Sequence, residues 1–390
     1  MSPMYRLAAV FAAAGALKVG GSALQAVTKT LTKPDAEYSE PFTILEGVRE
    51  LKDGRVIAVD AREKTVQVID LKTGNGAKLG REGGGPGEYG LPQRALALSG
   101  DSTAIADVVN NRLLVVEPNG KLGGFLEMPG AGGGGRGGMI MMGGLPRQAD
   151  GRGGLYYSTP GIMMTENGPK SSDSSAIVRW RPALKKVDTV AFLALPKNNA
   201  QVTGGRGNMN VRIGGGNPFS PQDAYAVAPD GRVAVVRAAD YHVEWYSPTG
   251  QKTVGSPIAY QKLKVTAAHK AEYKESRKNA FGMAVTMNNG QRSAQMVPMR
   301  DEEERTDWPD VMPPFLQDPA LVAPDGHLWV RRTTNAGDAP TYDIVDGTGK
   351  LVEKVVCPQK TRVIGFGNGV VYLSRRDDDD LLHLQRYKMP

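Results

Sequence analysis

Three carboxylates occupy one register of this 390-residue sequence: Glu46, Asp223 and Asp318 each stand seven residues ahead of the aspartate of an Asp-Gly pair. If the register repeats in space the three converge, and converging oxygen ligands suit a hard cation such as Ca²⁺. The plainer alternative is that each carboxylate caps the backbone amides of a turn. A second constellation is cationic: Arg81, Arg94, Arg112, Arg136, Arg147, Arg206 and Arg212 are expected on one face of the fold, several of them within glycine-rich stretches at 80–90, 130–147 and 204–218. Arg81, Arg136, Arg206 and Arg212 are the candidate ligand-binding residues. Guanidinium forks and unpaired backbone N–H groups both suit an anion or an acidic peptide. Against this stands the reading that arginines cap loops and keep a glycine-rich surface soluble.

Other chemistries find less support. His242, His269, His327 and His383 show no HxH or HExxH spacing, which argues against zinc. There is no GxSxG nucleophile elbow, and the glycine strings lack the strand–turn–helix setting of a dinucleotide site. Cys357 is the single cysteine, so no intramolecular disulfide can form, and a small buried residue is its default role. Methionines at 139–142 and 163–164, with Met283, Met287, Met296 and Met299, suit adaptable packing better than soft-metal binding.

Elements that would position these residues are repeated. LKDGR (51–55), QADGR (148–152), APDGR (228–232) and APDGH (323–327) are each followed by an apolar or alternating run: VIAVD, LYYS, VAVVR and LWVRR. A third strand and a second turn then follow in VQVIDLKTG (66–74), LLVVEPNG (113–120), VEWYSPTG (243–250) and YDIVDGTG (342–349). Asp-Gly suits a tight turn, since glycine tolerates positive φ and aspartate bonds the turn backbone. The unit is a four-stranded antiparallel meander, and its recurrence predicts an all-β, six-bladed β-propeller. Blades are expected near 42–85, 92–130, 145–195, 222–262, 319–357 and 360–388, with SGDS replacing Asp-Gly in the second. An N-terminal strand near Glu40–Leu45 is expected to complete the short last blade and close the ring. In such a ring the blade-to-blade connectors and the loops between second and third strands share one face, here called upper. Asp-Gly turns lie on the other. Residues 263–315 then form an insert between blades four and five, with helical character over LKVTAAHKAEYKESRKNAFGMAV and Thr266 as its cap. An insert of that length reads as a partly helical lid.

The stretch 79–120, LGREGGGPGEYGLPQRALALSGDSTAIADVVNNRLLVVEPNG, resembles the NHL-type repeat. The chain also resembles exported bacterial six-bladed propellers with a GREGxGPGEF segment, TolB-like in architecture. That resemblance implies fold and export, and it implies that Asp60, Asp107 and Asp240 tie loop backbone together. Metal-dependent lactonase propellers share the blade number and use a carboxylate and amide set of the kind Glu46, Asp223 and Asp318 would begin.

Glycine and proline together supply 49 + 26 = 75 residues, as expected of many turns. Arg6, the apolar run Leu7–Leu17 and small residues to Ala26 read as a signal peptide over 1–26, too short in its apolar part to span a bilayer. A linker over 27–39 and the propeller over 40–390 follow, in the periplasm or outside the cell. Removal of 1–26 takes Arg6 and Lys18, so the mature charge is +7 − 2 = +5, mild and interspersed with acidic runs, which does not point to nucleic acid. The function expected is a non-enzymatic binding module using the upper face for a protein, peptide or glycan partner. The alternative is a Ca²⁺-dependent lactonase-like hydrolase or lyase at the channel mouth.

Overall fold

The computed structural model describes residues 26–128, 145–159, 162–165, 168–196, 200–203, 210–213, 219–278, 280–288, 291–298 and 308–390. The signal-like segment, Arg136 and Arg206 lie outside them. Six four-stranded antiparallel blades follow one another in sequence order, each written from innermost to outermost strand. Blade one is Leu45–Glu50, Val56–Asp60, Thr65–Asp70 and Asn75–Lys78; blade two is Pro92–Ala97, Thr103–Asp107, Arg112–Val116 and Leu122–Glu127. Blade three is Gln148–Ala149, Leu155–Ser158, Ser174–Arg181 and Lys186–Ala194; blade four is Ala224–Val227, Val233–Arg237, His242–Tyr246 and Lys252–Val254. Blade five is Phe315–Val322, Leu328–Arg332, Thr341–Val345 and Leu351–Val356, and blade six ends in Thr361–Gly367, Val370–Arg376 and Leu382–Lys388. The chain is therefore a six-bladed β-propeller. No helix among the described residues is long and apolar enough to cross a membrane.

Closure differs from expectation. The fourth strand of blade six is Ala36–Glu37, antiparallel to Leu382–Lys388, while only Phe42 of the expected 40–45 segment bridges to Leu382. Tyr38 and Phe42 explain the placement: both rings are buried in the seam between blades six and one. Upstream, Val27–Thr30 runs parallel to Leu351–Val356 as a fifth strand on the outer edge of blade five. Residues 27–30 and 36–37 of the expected linker thus pair with blades five and six.

The core consists of six inter-blade seams. Val56, Ala58 and Ile69 face Ile364 and Tyr372 across blades one and six. The opposite face of the same blade presents Ile57, Val66 and Val68 to Ile105 and Leu114 of blade two. Strand alternation sends successive side chains to opposite faces, so a central strand with apolar residues at every position feeds two seams at once. This explains why the first four residues of VIAVD and of VAVVR are continuously apolar and buried. Each buried Val, Leu or Ile contributes about 1.5–3 kcal/mol over its exposed state.

The turns between first and second strands follow the Asp-Gly expectation in blades one, four and five. Gly54, Gly231 and Gly326 hold φ of +87°, +84° and +87°, and the aspartate two residues before Arg55, Arg232 and His327 accepts that residue's N–H at 3.0 Å. Blade three departs. There Asp150 N–H bonds Gly154 O, the left-handed residue is Gly153, and Asp-Gly sits at the turn's entry, two positions early.

The insert leaves blade four through a zipped neck, Lys264 bridging Val311 and Met312 N–H bonding Leu263 O. Its helix spans Ala267–Lys278, capped by Thr266, whose hydroxyl accepts the His269 N–H at 3.3 Å. Helical character does not extend over FGMAV: Phe281–Asn288 and Gln291–Pro298 form an antiparallel hairpin. Alternation in FGMAVTMN and the Asn-Gly pair at 289–290 carry that hairpin signal.

Candidate functional site: the lidded upper mouth

Innermost strands line the central channel, and those of blades one, two, five and six are irregular. Pairing in blade one jumps from Leu45↔Asp60 to Val48↔Ala58, bulging at Glu46 and Gly47. In blade two it jumps from Gln93↔Ala106 to Ala95↔Ile105, with the register shift at Arg94, which holds φ +23°. Blade five skips from Phe315↔Arg332 to Ala320↔Val330, and blade six skips Ile364. The first strands of blades three and four show no register shift. A bulge unpairs backbone and redirects side chains, and bulges gather beside functional sites. Here they open one side of the channel.

A cavity of about 170 Å³ occupies that side, lined by Glu46 and Arg94, by Leu316, Ala320 and Leu321, by Arg331, Arg332 and Tyr342, and by Arg362 and Val363. A smaller cavity of about 20 Å³ adjoins it and shares Glu46 and Arg94; Met296 of the insert hairpin lines it too. The hairpin therefore crosses from between blades four and five to the opposite side of the mouth. Ala294 is buried there against Leu91 and Val108, and the Arg62 guanidinium stacks 4.9 Å from the Phe281 ring centroid. The helix end is fixed on the near side, where Tyr273 meets Phe219 and Trp308 ring to ring and His269 Nε2 lies 3.3 Å from Thr334 O.

Of the predicted carboxylates, Glu46 lies in the cavity wall, ion-paired with Arg94 at 3.2 Å. Asp318 lies in the bulged strand Phe315–Val322, with its side chain outside the described ones. Asp223 precedes the first strand of blade four and is saturated: it accepts from Ala194 N–H at 2.9 Å, Ala238 N–H at 3.0 Å and Arg237 Nη1 at 2.7 Å. No cluster of three metal-ligating side chains occurs among the described residues. Glu46 and Asp223 thus carry guanidinium partners.

The predicted arginines also divide. Arg81 is paired with Glu88 at 2.8 Å on an exposed rim. Arg212 lies in the strand Asn210–Ile213, paired through its backbone with Gln201. Arg136 and Arg206 fall outside the described residues. Arg112 is structural: Nη2 donates to Gly85 O at 3.2 Å and Glu88 O at 2.9 Å, while Asn110 holds Gly83 O at 2.9 Å. The NNR residues of the NHL-like stretch therefore staple the glycine loop, whose Gly85 N–H is already taken by Glu88. Asp60 ties Thr43, Ile44, Arg62 and Glu63 amides, and Asp107 ties Gly90 and Leu91. Asp240 does not do the same; it meets His242 Nδ1 at 2.6 Å.

Sequence reasoning passed over Arg331, Arg332 and Arg362. A signal was present: LWVRR ends in arginine where VIAVD ends in aspartate. Arg332 Nη1 lies 3.5 Å from Asp343 Oδ1, and Asp343 is fully buried and accepts the Tyr241 hydroxyl at 2.7 Å. Burial raises the Asp343 carboxyl above its usual range, against the Arg332 charge and the Tyr241 hydrogen bond that lower it.

The fold and the mouth together define a lidded six-bladed propeller. No family profile matches the chain, and no curated protein matches it. Among solved structures, a calcium-binding regucalcin from Agrobacterium tumefaciens is 12% identical, covering 94% of this chain and 98% of its own, with a TM-score of 0.44. A gluconolactonase from Xanthomonas campestris is 11% identical over 93% of this chain and 97% of its own, with a TM-score of 0.44. A DUF4221 family member from Bacteroides vulgatus is 10% identical over 92% and 94%, with a TM-score of 0.45. Nothing about ligand or reaction passes from these likenesses to this chain, and the fold rests on the strand order above.

Proposed function

We propose that the chain is an exported, periplasmic or secreted, non-enzymatic binding module whose ligand sits at the upper mouth beneath the insert, presented by a peptide, glycan or protein partner or free in solution. The observation that supports this is the reach of the hairpin: Met296 lines the mouth beside Glu46 and Arg94, while its neighbour Ala294 is anchored on Leu91 and Val108. An insert anchored on both sides of a channel encloses what the channel holds, and concave sites with a few charged groups are where ligands bind.

Ala294→Asp tests it. A carboxylate at this buried position is costly to desolvate and should lift the hairpin from its platform. A thermal-shift panel of acidic and neutral peptides, oligosaccharides and small acids should contain a class that stabilises the wild type and stabilises the variant less. A panel that shifts neither protein opposes the proposal. The second reading, a Ca²⁺-dependent lactonase or lyase drawing on Glu46, Asp223 and Asp318, has in its favour that Glu46 and the strand bearing Asp318 border one cavity. Lactone hydrolysis that stops with EDTA and returns with CaCl₂ would establish it in place of the first.

A further inference from the structure

Resting on the reading of the upper mouth as a ligand site, we infer that its cavity recognises the oxyanion of a small organic acid. The charge of the lining carries this. Arg94, Arg331, Arg332 and Arg362 supply four positive charges, against Glu46 in the wall and Asp343 behind Arg332, so the sum is +4 − 2 = +2. Even with the charge of Asp318 counted in, the sum would be +1, still cationic. The Arg331 side chain has no ion-pair or hydrogen-bond partner among the described residues, although the residue is partly buried in the wall. A guanidinium withdrawn from water without a fixed partner is a ready donor to an incoming carboxylate, and its planar fork matches two oxygens at once.

Tyr342 is a second, independent donor. It is only 2% exposed and lines the same cavity. Its hydroxyl accepts the Val363 N–H at 2.9 Å, so its own hydrogen remains to be donated and meets no acceptor among the described residues. Val363 also borders the cavity, which places the hydroxyl at the wall. Burial raises this phenol above its usual range, so it stays protonated at neutral pH. A buried O–H that donates to an anion would complement the arginines without adding charge.

Size and shape narrow the class. At about 170 Å³ the cavity admits several waters or a small polar molecule, since roughly 10–15 Å³ already admits one water. Leu316, Ala320 and Leu321 give one apolar wall, which suits a short carbon skeleton carrying its charge at the arginine side. A hard cation would meet four guanidiniums here and be repelled.

The test is calorimetric titration of the full chain with citrate, D-gluconate and inorganic phosphate, at low and at physiological salt. Citrate should bind more tightly than gluconate because it carries more carboxylates, and salt should weaken both. Arg331→Gln should weaken citrate roughly tenfold or more, as expected for losing a charge-assisted bond. Tyr342→Phe should weaken it several-fold, alongside a separate stability loss read by thermal unfolding, because the Val363 N–H loses its acceptor. Arg152→Gln, on the opposite face, should bind as the wild type does. Phosphate binding tighter than citrate, with the same dependence on Arg331, would keep the oxyanion site and assign it to phosphate. Equal affinities of the wild type and Arg331→Gln, or no binding of any probe at up to about 10 mM, would overturn the inference. A neutral oligosaccharide or peptide that binds in an Ala294-dependent way would then leave the lidded-mouth reading standing. Citrate binding that needs Arg331 but ignores Ala294→Asp would remove the lid instead.

Discussion

Arg237 and Asp223 join two strands of blade four through a 2.7 Å bond from Nη1 to Oδ2. Arg237 stands at the end of the second strand, where blades one and two have Asp60 and Asp107. The acid and the base have exchanged strands. Asp223 then performs the amide-tying that Asp60 and Asp107 perform elsewhere, and Glu244 of the third strand neutralises the other side of the guanidinium.

Asp223→Ala should therefore cost about 2–4 kcal/mol, because it strands two amides and removes one of the two carboxylates that hold a partly buried arginine. Thermal or urea unfolding checks this. The loss should be the same in EDTA and in CaCl₂. A calcium ligand would give a loss that appears only when calcium is present, and a change under about 0.5 kcal/mol would place Asp223 among ordinary surface residues.

Glu244 makes the same cluster sensitive to acid. Burial would raise its carboxyl, but hydrogen bonds from Lys252 and Arg237, the Arg237 charge and the Tyr246 hydroxyl hold it down, from 4.5 to about 2. A depressed carboxylate contributes stability that is fully present above its unfolded value and is lost as pH falls through the folded one. Wild-type stability should decline between pH 4.5 and about 2 partly on this account. Glu244→Gln should be less stable at pH 7 and should show a shallower decline over that interval. Parallel acid titrations of the two proteins would contradict it.

Cys357 should be chemically silent in the native state. It is 1% exposed in the seam of blades five and six, and burial pushes its thiol up to about 12, so almost no thiolate exists at neutral pH. A thiol reagent such as dithionitrobenzoate should label it only at the rate of unfolding. Stoichiometric labelling within seconds in native buffer would show that the seam is open.

The blade repeat was legible because it rests on local chemistry: Asp-Gly turns and strands that are apolar at every position. Thr266 as a cap and a partly helical insert between blades four and five were legible for the same reason. Three features were not. Asp150-Gly151 copies the turn motif but enters the turn two positions early, since Gly153 offers the left-handed residue instead. Glu46, Asp223 and Asp318 share a spacing, yet bulges shift the register in blades one and five and not in blade four, so equal spacing does not give equal position. The cavity arginines come from innermost and second strands of three blades, and only three-dimensional closure brings Arg94, Arg331 and Arg362 to one wall.

Hydrogen exchange resolved by peptide, with and without saturating citrate, tests the lidded mouth most directly. On binding, protection should rise together in three separate segments: around Glu46, around Arg94, and over Gln291–Pro298 of the hairpin. Saturated binding with unchanged exchange in Gln291–Pro298 would contradict the account, because the hairpin would then take no part in enclosing the ligand.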